Sequence, residues 1–355
     1  MARSGCLYGS TGTYKTTAIA HFARYIAETT GKATLLLSAD GGGWTPCDEE
    51  IAVGMIRPYQ LDISHDRFLP SLVVIGRGYW PENPEELDPA RVNFKAVNWD
   101  EIGGMAVEGF TSLGTGLLLH CSQKALKTGE DATSKFGRSI LVDGQEVMVG
   151  FAGNSKAHYQ FVHNQLQGFT KAITSQPFKY VLFTGIDKKA EDDDRTTIGG
   201  VSTPGKAITN LIPTWVGDFI HAQDYSVSRK VKVPPPGMTV AQCKPADLIE
   251  TEVYEKVCRY YFKDHPDPTT GILFKAKPRI THGAVAALAK EFPGGYFEPT
   301  PDHGFDVYLK TLDRLLAQGL LKEDDTLKQW REKMDAKLGR KPAVVPQLAT
   351  TAAKV

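Results

Sequence analysis

Gly9-Ser10-Thr11-Gly12-Thr13-Tyr14-Lys15-Thr16 is the stretch whose residue types and spacing point most directly to chemistry. It follows G-x-x-x-x-G-K-[ST] at its first Gly, its Lys and its Thr, with Gly12 inside the loop. Such a loop turns backbone N–H groups toward an anion, and the start of the next helix adds favourable partial charge. Lys15 would reach the β- and γ-phosphates of a nucleotide, and the Thr16 hydroxyl would hold Mg²⁺. The cofactors this implies are ATP and Mg²⁺, with Gly9, Ser10, Thr11, Gly12, Thr13, Tyr14, Lys15, Thr16 and Thr17 as the binding segment. One position departs from the pattern: Tyr14 stands where Gly is usual. Either its ring points away and the loop survives, or nucleotide binding is impaired. The alternative to a phosphate site is a Gly/Thr-rich turn with Lys-Thr at a helix start.

Two acids lie where apolar runs end. Asp40 follows Thr34–Ser38 (TLLLS), and a carboxylate there could orient or deprotonate an attacking water. An ordinary Asp-Gly-Gly turn is the alternative. Glu108 ends Met105-Ala106-Val107, the place for an acid that binds Mg²⁺ through water. Asp100 and Glu101 compete for that role, but they precede the run. Thr184, ending another apolar run, could sense a γ-phosphate. The four acids at 191–194 make a poor phosphate-contacting surface and read as a solvated loop. Lys277 and Arg279 lie two apart in Lys-Pro-Arg, so a strand would project both to one side. Such a pair could reach a neighbouring subunit's nucleotide.

Positioning these groups requires a particular set of elements. Cys6–Tyr8 reads as a strand end and Lys15–Thr29 as a helix, with Ala18, Ile19, Phe22 and Ile26 near helical spacing and Gly31 as its stop. Thr34–Ser38 then reads as a strand buried on both faces. This opening predicts an α/β fold with a mainly parallel central sheet. Further buried strands are expected at Leu72–Ile75, Met105–Val107, Tyr180–Thr184 and Phe219–His221, and helices near Thr111–Ala125 and Ala157–Thr174. Asp143-Gly144 between two short apolar runs signals a hairpin. Arg229–Val233, Val257–Phe262 and Ile272–Ala276 read as antiparallel strands, and Phe305, Tyr308, Leu309, Leu312, Leu315 and Leu316 as the core-facing stripe of a helix. The expected organisation is a core over 1–225, a β extension over 226–280 carrying the Lys-x-Arg pair, a small C-terminal helical region over 281–338 and a mobile tail over 339–355.

Across 355 residues, 41 Lys and Arg balance 41 Asp and Glu, and 41% of residues are hydrophobic. That excludes a disordered polyelectrolyte or a histone-like protein, and the length is ample for a core without disulfides. Neutrality overall leaves room for local cationic patches, since 328–355 carries seven basic residues against two acidic ones. The five cysteines are widely spaced and form no CxxC pair, which argues against a disulfide framework or structural zinc and for a reducing compartment. The N-terminus is too short and polar for a signal peptide, and no apolar run approaches the roughly 20 residues that span a bilayer. A cytoplasmic location is expected, host cytoplasm if the protein is viral.

Taken together, GSTGTYKT, LLLSAD, MAVEGFTS, YVLFTGIDKK with STPGKAITNLIP and WVGDFIH, and KPR resemble the RecA-like P-loop ATPases. Within these, they resemble the phage core-only type described as ATP-binding proteins or single-strand-annealing recombinases. The resemblance spans about residues 3–280. It implies that Asp40 activates water, Glu108 is the Walker-B acid, and Lys277 and Arg279 act across a subunit interface. It also implies DNA-binding loops near 127–155 and 188–205. The implied function is an oligomeric ATPase, ring or filament, acting on DNA in phage recombination or replication, with single-stranded DNA as a possible partner and no membrane role. Two other readings compete. One is a nucleotide-binding assembly protein with weak hydrolysis, motivated by Tyr14 and by Glu in place of Asp at 108. The other is a DNA-translocating packaging or helicase motor. A small-molecule kinase is weaker still, for want of an acceptor-binding lid.

Overall fold

The structure, a computed structural model, describes residues 2–41, 43–86, 88–128, 138–142, 145–149, 156–188, 200–266, 273–274 and 282–320. The chain opens with β1 (Arg3–Gly9), α1 (Lys15–Thr30), β2 (Ala33–Ser38), α2 (Asp48–Ala52), β3 (Ile56–Gln60) and α3 (Phe68–Gly76). Next come β4 (Tyr79–Pro81), β5 (Phe94–Ala96), β6 (Ile102–Glu108), α4 (Phe110–Thr128), β7 (Arg138–Val142), β8 (Gln145–Val149), α5 (Lys156–Thr174), β9 (Tyr180–Lys188) and β10 (Gly200–Val201). The last third holds α6 (Lys206–Trp215), β11 (Asp218–Val233), β12 (Ile249–Tyr261), β13 (His265–Pro266), β14 (Leu273–Phe274), α7 (His282–Glu291), β15 (Tyr296–Phe297) and α8 (Phe305–Ala317).

The central sheet runs β15-β12-β11-β1-β9-β6-β2-β3, with β10 beside β9. The pairings from β11 through β3 are parallel, while β12, β15 and β10 join antiparallel. This is the α/β fold with a mainly parallel sheet and an antiparallel extension that the sequence predicts. Strand β9 separates β1 from β6. The chain leaves β1 toward β2 and β3, then returns through β6 and β9 to β11. Such a reversal of strand order opens a crevice at the carboxyl ends of the strands, where the loops after β1, β2 and β6 lie.

Both faces of the parallel strands are buried, which explains their unbroken apolar runs. On β2, Leu35 and Leu37 face the core shared with α3, α4, α5 and α6, whereas Leu36 faces the core shared with α1 and α8. On β9, Val181 and Phe183 share the first core and Leu182 the second. The α8 stripe is core, as expected: Phe305, Tyr308, Leu309, Leu312 and Leu315 are buried in the second cluster.

One assignment is corrected. Leu72–Ile75 reads as a strand but lies inside α3, Phe68–Gly76. Four apolar residues fit a buried helix as well as a strand, and here Phe68, Leu72 and Ile75 recur at helical spacing and are its buried large apolar side chains. The Asp143-Gly144 hairpin is present in its arms, which pair antiparallel. Lys277, Arg279, the acidic 191–194 run, the tail and most of both expected DNA loops lie outside the described residues.

Candidate functional site

The loop from Gly9 to Tyr14 leaves the carboxyl end of β1 and delivers Lys15 and Thr16 to the first turn of α1. Gly9 is required by space: a Cβ there would come within 2.2 Å of the Ala222 carbonyl oxygen on β11. Gly12 has φ +84°, in the left-handed region that favours glycine. Tyr14 has φ 57° and ψ 26°, the only positive φ on a non-glycine among the described residues. Tyr14 therefore takes the conformation a glycine would supply, at a cost of roughly 1–2 kcal/mol for an L-residue. Its side chain is 45% exposed, so the ring points out and leaves the loop its shape.

That strained carbonyl is held from a distant part of the chain. The Tyr260 hydroxyl, buried on β12, donates to the Tyr14 carbonyl at 2.7 Å, and the Ala18 N–H donates to it at 3.0 Å. Cys258 Sγ lies 3.5 Å from the Thr13 carbonyl oxygen. The Thr13 hydroxyl donates to the Ser10 carbonyl at 2.8 Å, tying the loop to itself.

Lys15 Nζ donates to the carbonyls of Gly9 (2.9 Å) and Ser10 (2.6 Å) and reaches Thr13 Oγ1 at 3.3 Å. Burial lowers its pKa, opposed by the nearby carboxylates of Asp187, Asp40 and Glu108. An ammonium coordinated by neutral carbonyls in a partly desolvated loop would exchange them favourably for phosphate oxygens, because charge-assisted hydrogen bonds are the stronger ones.

Thr16 Oγ1 donates to Glu108 Oε1 at 2.6 Å, joining the helix start to the end of β6. Glu108 is buried, and that burial raises its pKa, opposed mainly by the Thr16 hydrogen bond. The next residue, Gly109, has φ +79°, and a Cβ there would lie 2.6 Å from Asp40 Oδ1. Asp40 is thus packed against the β6–α4 turn, where the Ser112 hydroxyl donates to Oδ1. The Ala39 N–H to Glu108 carbonyl bond, 3.0 Å, fixes the two strand ends together.

The structure therefore gathers Gly9–Thr16, Asp40 and Glu108 at the carboxyl ends of β1, β2 and β6; Thr17 follows half-buried in the same helical turn. Asp100 and Glu101 sit at the opposite end of β6, where Glu101 pairs with Arg57 on β3 at 2.7 Å. Thr184 is buried within β9, in register with Leu7. Asp187, three residues further on, carries the carboxylate that acts most strongly on Lys15.

A hydroxyl and one carboxylate in contact form a hard-oxygen donor set suited to Mg²⁺, which keeps waters and phosphate oxygens as its remaining ligands. Thr16 and Glu108 would hold it. No cluster of three or more His, Cys, Asp or Glu able to hold a metal on protein ligands alone exists among the described residues. No described helix is long and apolar enough to cross a membrane.

Ser112, Gly109, Tyr260, Cys258 and Asp187 escaped the sequence reading. Ser112 and Gly109 lie within the quoted EGFTS, so their position after the Glu108 strand was the available signal. Tyr260 and Cys258 had none, because their contacts cross some 245 residues of chain.

No protein-family model matches this sequence, and no curated protein matches it. A solved KaiC-like protein from the hyperthermophilic archaeon Pyrococcus horikoshii OT3 is similar in structure over 77% of this chain and 89% of that one. The identity is 10% and the TM-score 0.33.

Proposed function

We propose that the protein binds ATP with Mg²⁺ at the Gly9–Thr17 loop and hydrolyses it, as a RecA-like ATPase working as a homo-oligomer on DNA. The observation that carries this reading is the Thr16–Glu108 contact beside Lys15, with Asp40 packed against the same turn. Lys15 binds the β- and γ-phosphates. Thr16, and Glu108 through water, would hold Mg²⁺, which would neutralise charge developing on the phosphates. Asp40, fixed by Ser112 and the Gly109 turn, orients the attacking water and accepts its proton. Lys277 and Arg279 are proposed to act on a neighbouring subunit's γ-phosphate. The DNA substrate, the phage role and the oligomer rest on the motif resemblance, and the hydrolytic site rests on geometry.

The test is ATP turnover in Mg²⁺ with and without single-stranded DNA, run beside Lys15→Ala. The unaltered chain is expected to turn over ATP faster with DNA, and Lys15→Ala to lose at least about a hundredfold. Turnover that survives Lys15→Ala removes the hydrolytic reading. Turnover indifferent to DNA removes the DNA reading, and ATP bound but uncleaved favours an assembly protein.

A further inference from the structure

Strand β12 forms a wall along the phosphate loop. Lys256, Cys258 and Tyr260 alternate along it, so their side chains share one face. Tyr260 and Cys258 lie against the carbonyls of Tyr14 and Thr13, as described. Lys256, next in that row, brings its Nζ to the bare face of Gly12: a methyl group placed there would lie 3.8 Å from it. The row therefore places a cation beside the proposed phosphate loop.

Lys256 now pairs with Asp224 on β11, Nζ to Oδ2 2.5 Å. The Lys256 side chain is 55% exposed, so this ion pair is held in water and is cheap to break. The arrangement suits a cation that waits in one pairing and moves to another. A triphosphate offers more negative charge than one carboxylate, and it would sit against the same loop. Apart from Lys256 Nζ, nothing beyond its chain neighbours lies within 4 Å of a Cβ built on Gly12, so that face of the loop is otherwise open.

We propose that Lys256 is a second phosphate-binding cation of this site, supplied by the same chain that supplies Lys15. This rests on the nucleotide-binding reading above. It differs from the Lys277/Arg279 expectation in both residue and source, because Lys256 reaches the loop of its own subunit. Asp224 is its resting partner and competes with the nucleotide for it.

The experiment measures MgATP binding by calorimetry for the full-length unaltered chain and for Lys256→Met, Lys256→Arg, Asp224→Asn and Lys15→Ala. Lys256→Met is expected to weaken binding about tenfold, and Lys256→Arg to stay within about twofold, since it keeps the charge. Asp224→Asn is expected to tighten binding about two- to threefold by releasing Lys256. A merely structural ion pair would give weakening in both the Lys256→Met and Asp224→Asn variants, so that result overturns the proposal. So does Lys256→Met binding ATP like the unaltered chain while Lys15→Ala loses it. If Lys15→Ala itself binds ATP normally, the phosphate-loop reading fails first and this inference falls with it.

Discussion

At the scale of single residues, the site stores an electrostatic penalty. Burial raises the Glu108 pKa above the ordinary glutamate value of 4.5, so the folded chain holds its proton more tightly than the unfolded chain does. Stability is greatest below the ordinary value and falls as pH rises toward the raised one, after which the penalty is constant. Glu108→Gln keeps the shape and a carbonyl acceptor for Thr16 while removing the charge. It is expected to stabilise the nucleotide-free protein at pH 7 by about 1 kcal/mol, flatten that pH dependence in denaturant titrations, and abolish ATP turnover. Equal stability at pH 7 would mean that Glu108 is better solvated than its burial indicates. These residue identities were legible because the Gly-x-x-x-x-x-Lys-Thr spacing and an acid after an apolar run each have a local physical cause. The outcome at Tyr14 was not legible, since sequence cannot say whether a side chain at a left-handed position turns outward.

At the scale of elements, the turn between β6 and α4 does the positioning. Gly109 has no room for a side chain, and its left-handed φ is unfavourable for any other residue. Gly109→Ala is expected to destabilise the fold by about 2–3 kcal/mol and to displace Asp40. ATP binding should stay within a few-fold while turnover drops at least about tenfold, a split visible in steady-state kinetics against calorimetry. Turnover that persists would remove Asp40 from the water-positioning role. Strands β2, β6 and β9 could be read directly because burial on both faces forces unbroken apolar runs. The same logic misreads Leu72–Ile75, which is a buried helix segment with an equally apolar face. The β11–β12 pairing was legible only as two antiparallel strands. Its register, and hence the row that meets the phosphate loop, depends on partners far away in sequence.

At the scale of the whole molecule, the helix that carries Lys15 and Thr16 is clamped between the sheet and α8. Tyr25 on α1 and Lys179, which precedes β9, both bond to Asp313 of α8, at 2.7 and 2.8 Å. Leu312, the residue before Asp313, is fully buried in the core that α1 and α8 share. Leu312→Ala is expected to cost about 2–5 kcal/mol in chemical denaturation, with nucleotide affinity falling only as the folded fraction falls. A selective loss of affinity in a fully folded variant would instead show that α8 sets the position of α1. The amphipathic stripe of α8 was visible in the sequence, but not which helix it covers, because a stripe records a face and not its partner. The Tyr260–Tyr14 bond adds a consequence in time. A growing chain makes its phosphate loop well before the hydroxyl that holds the strained carbonyl, which is added 246 positions after Tyr14. Loops closed over so long a stretch form late, so a nascent chain could assemble much of its sheet before its phosphate loop acquires its final shape.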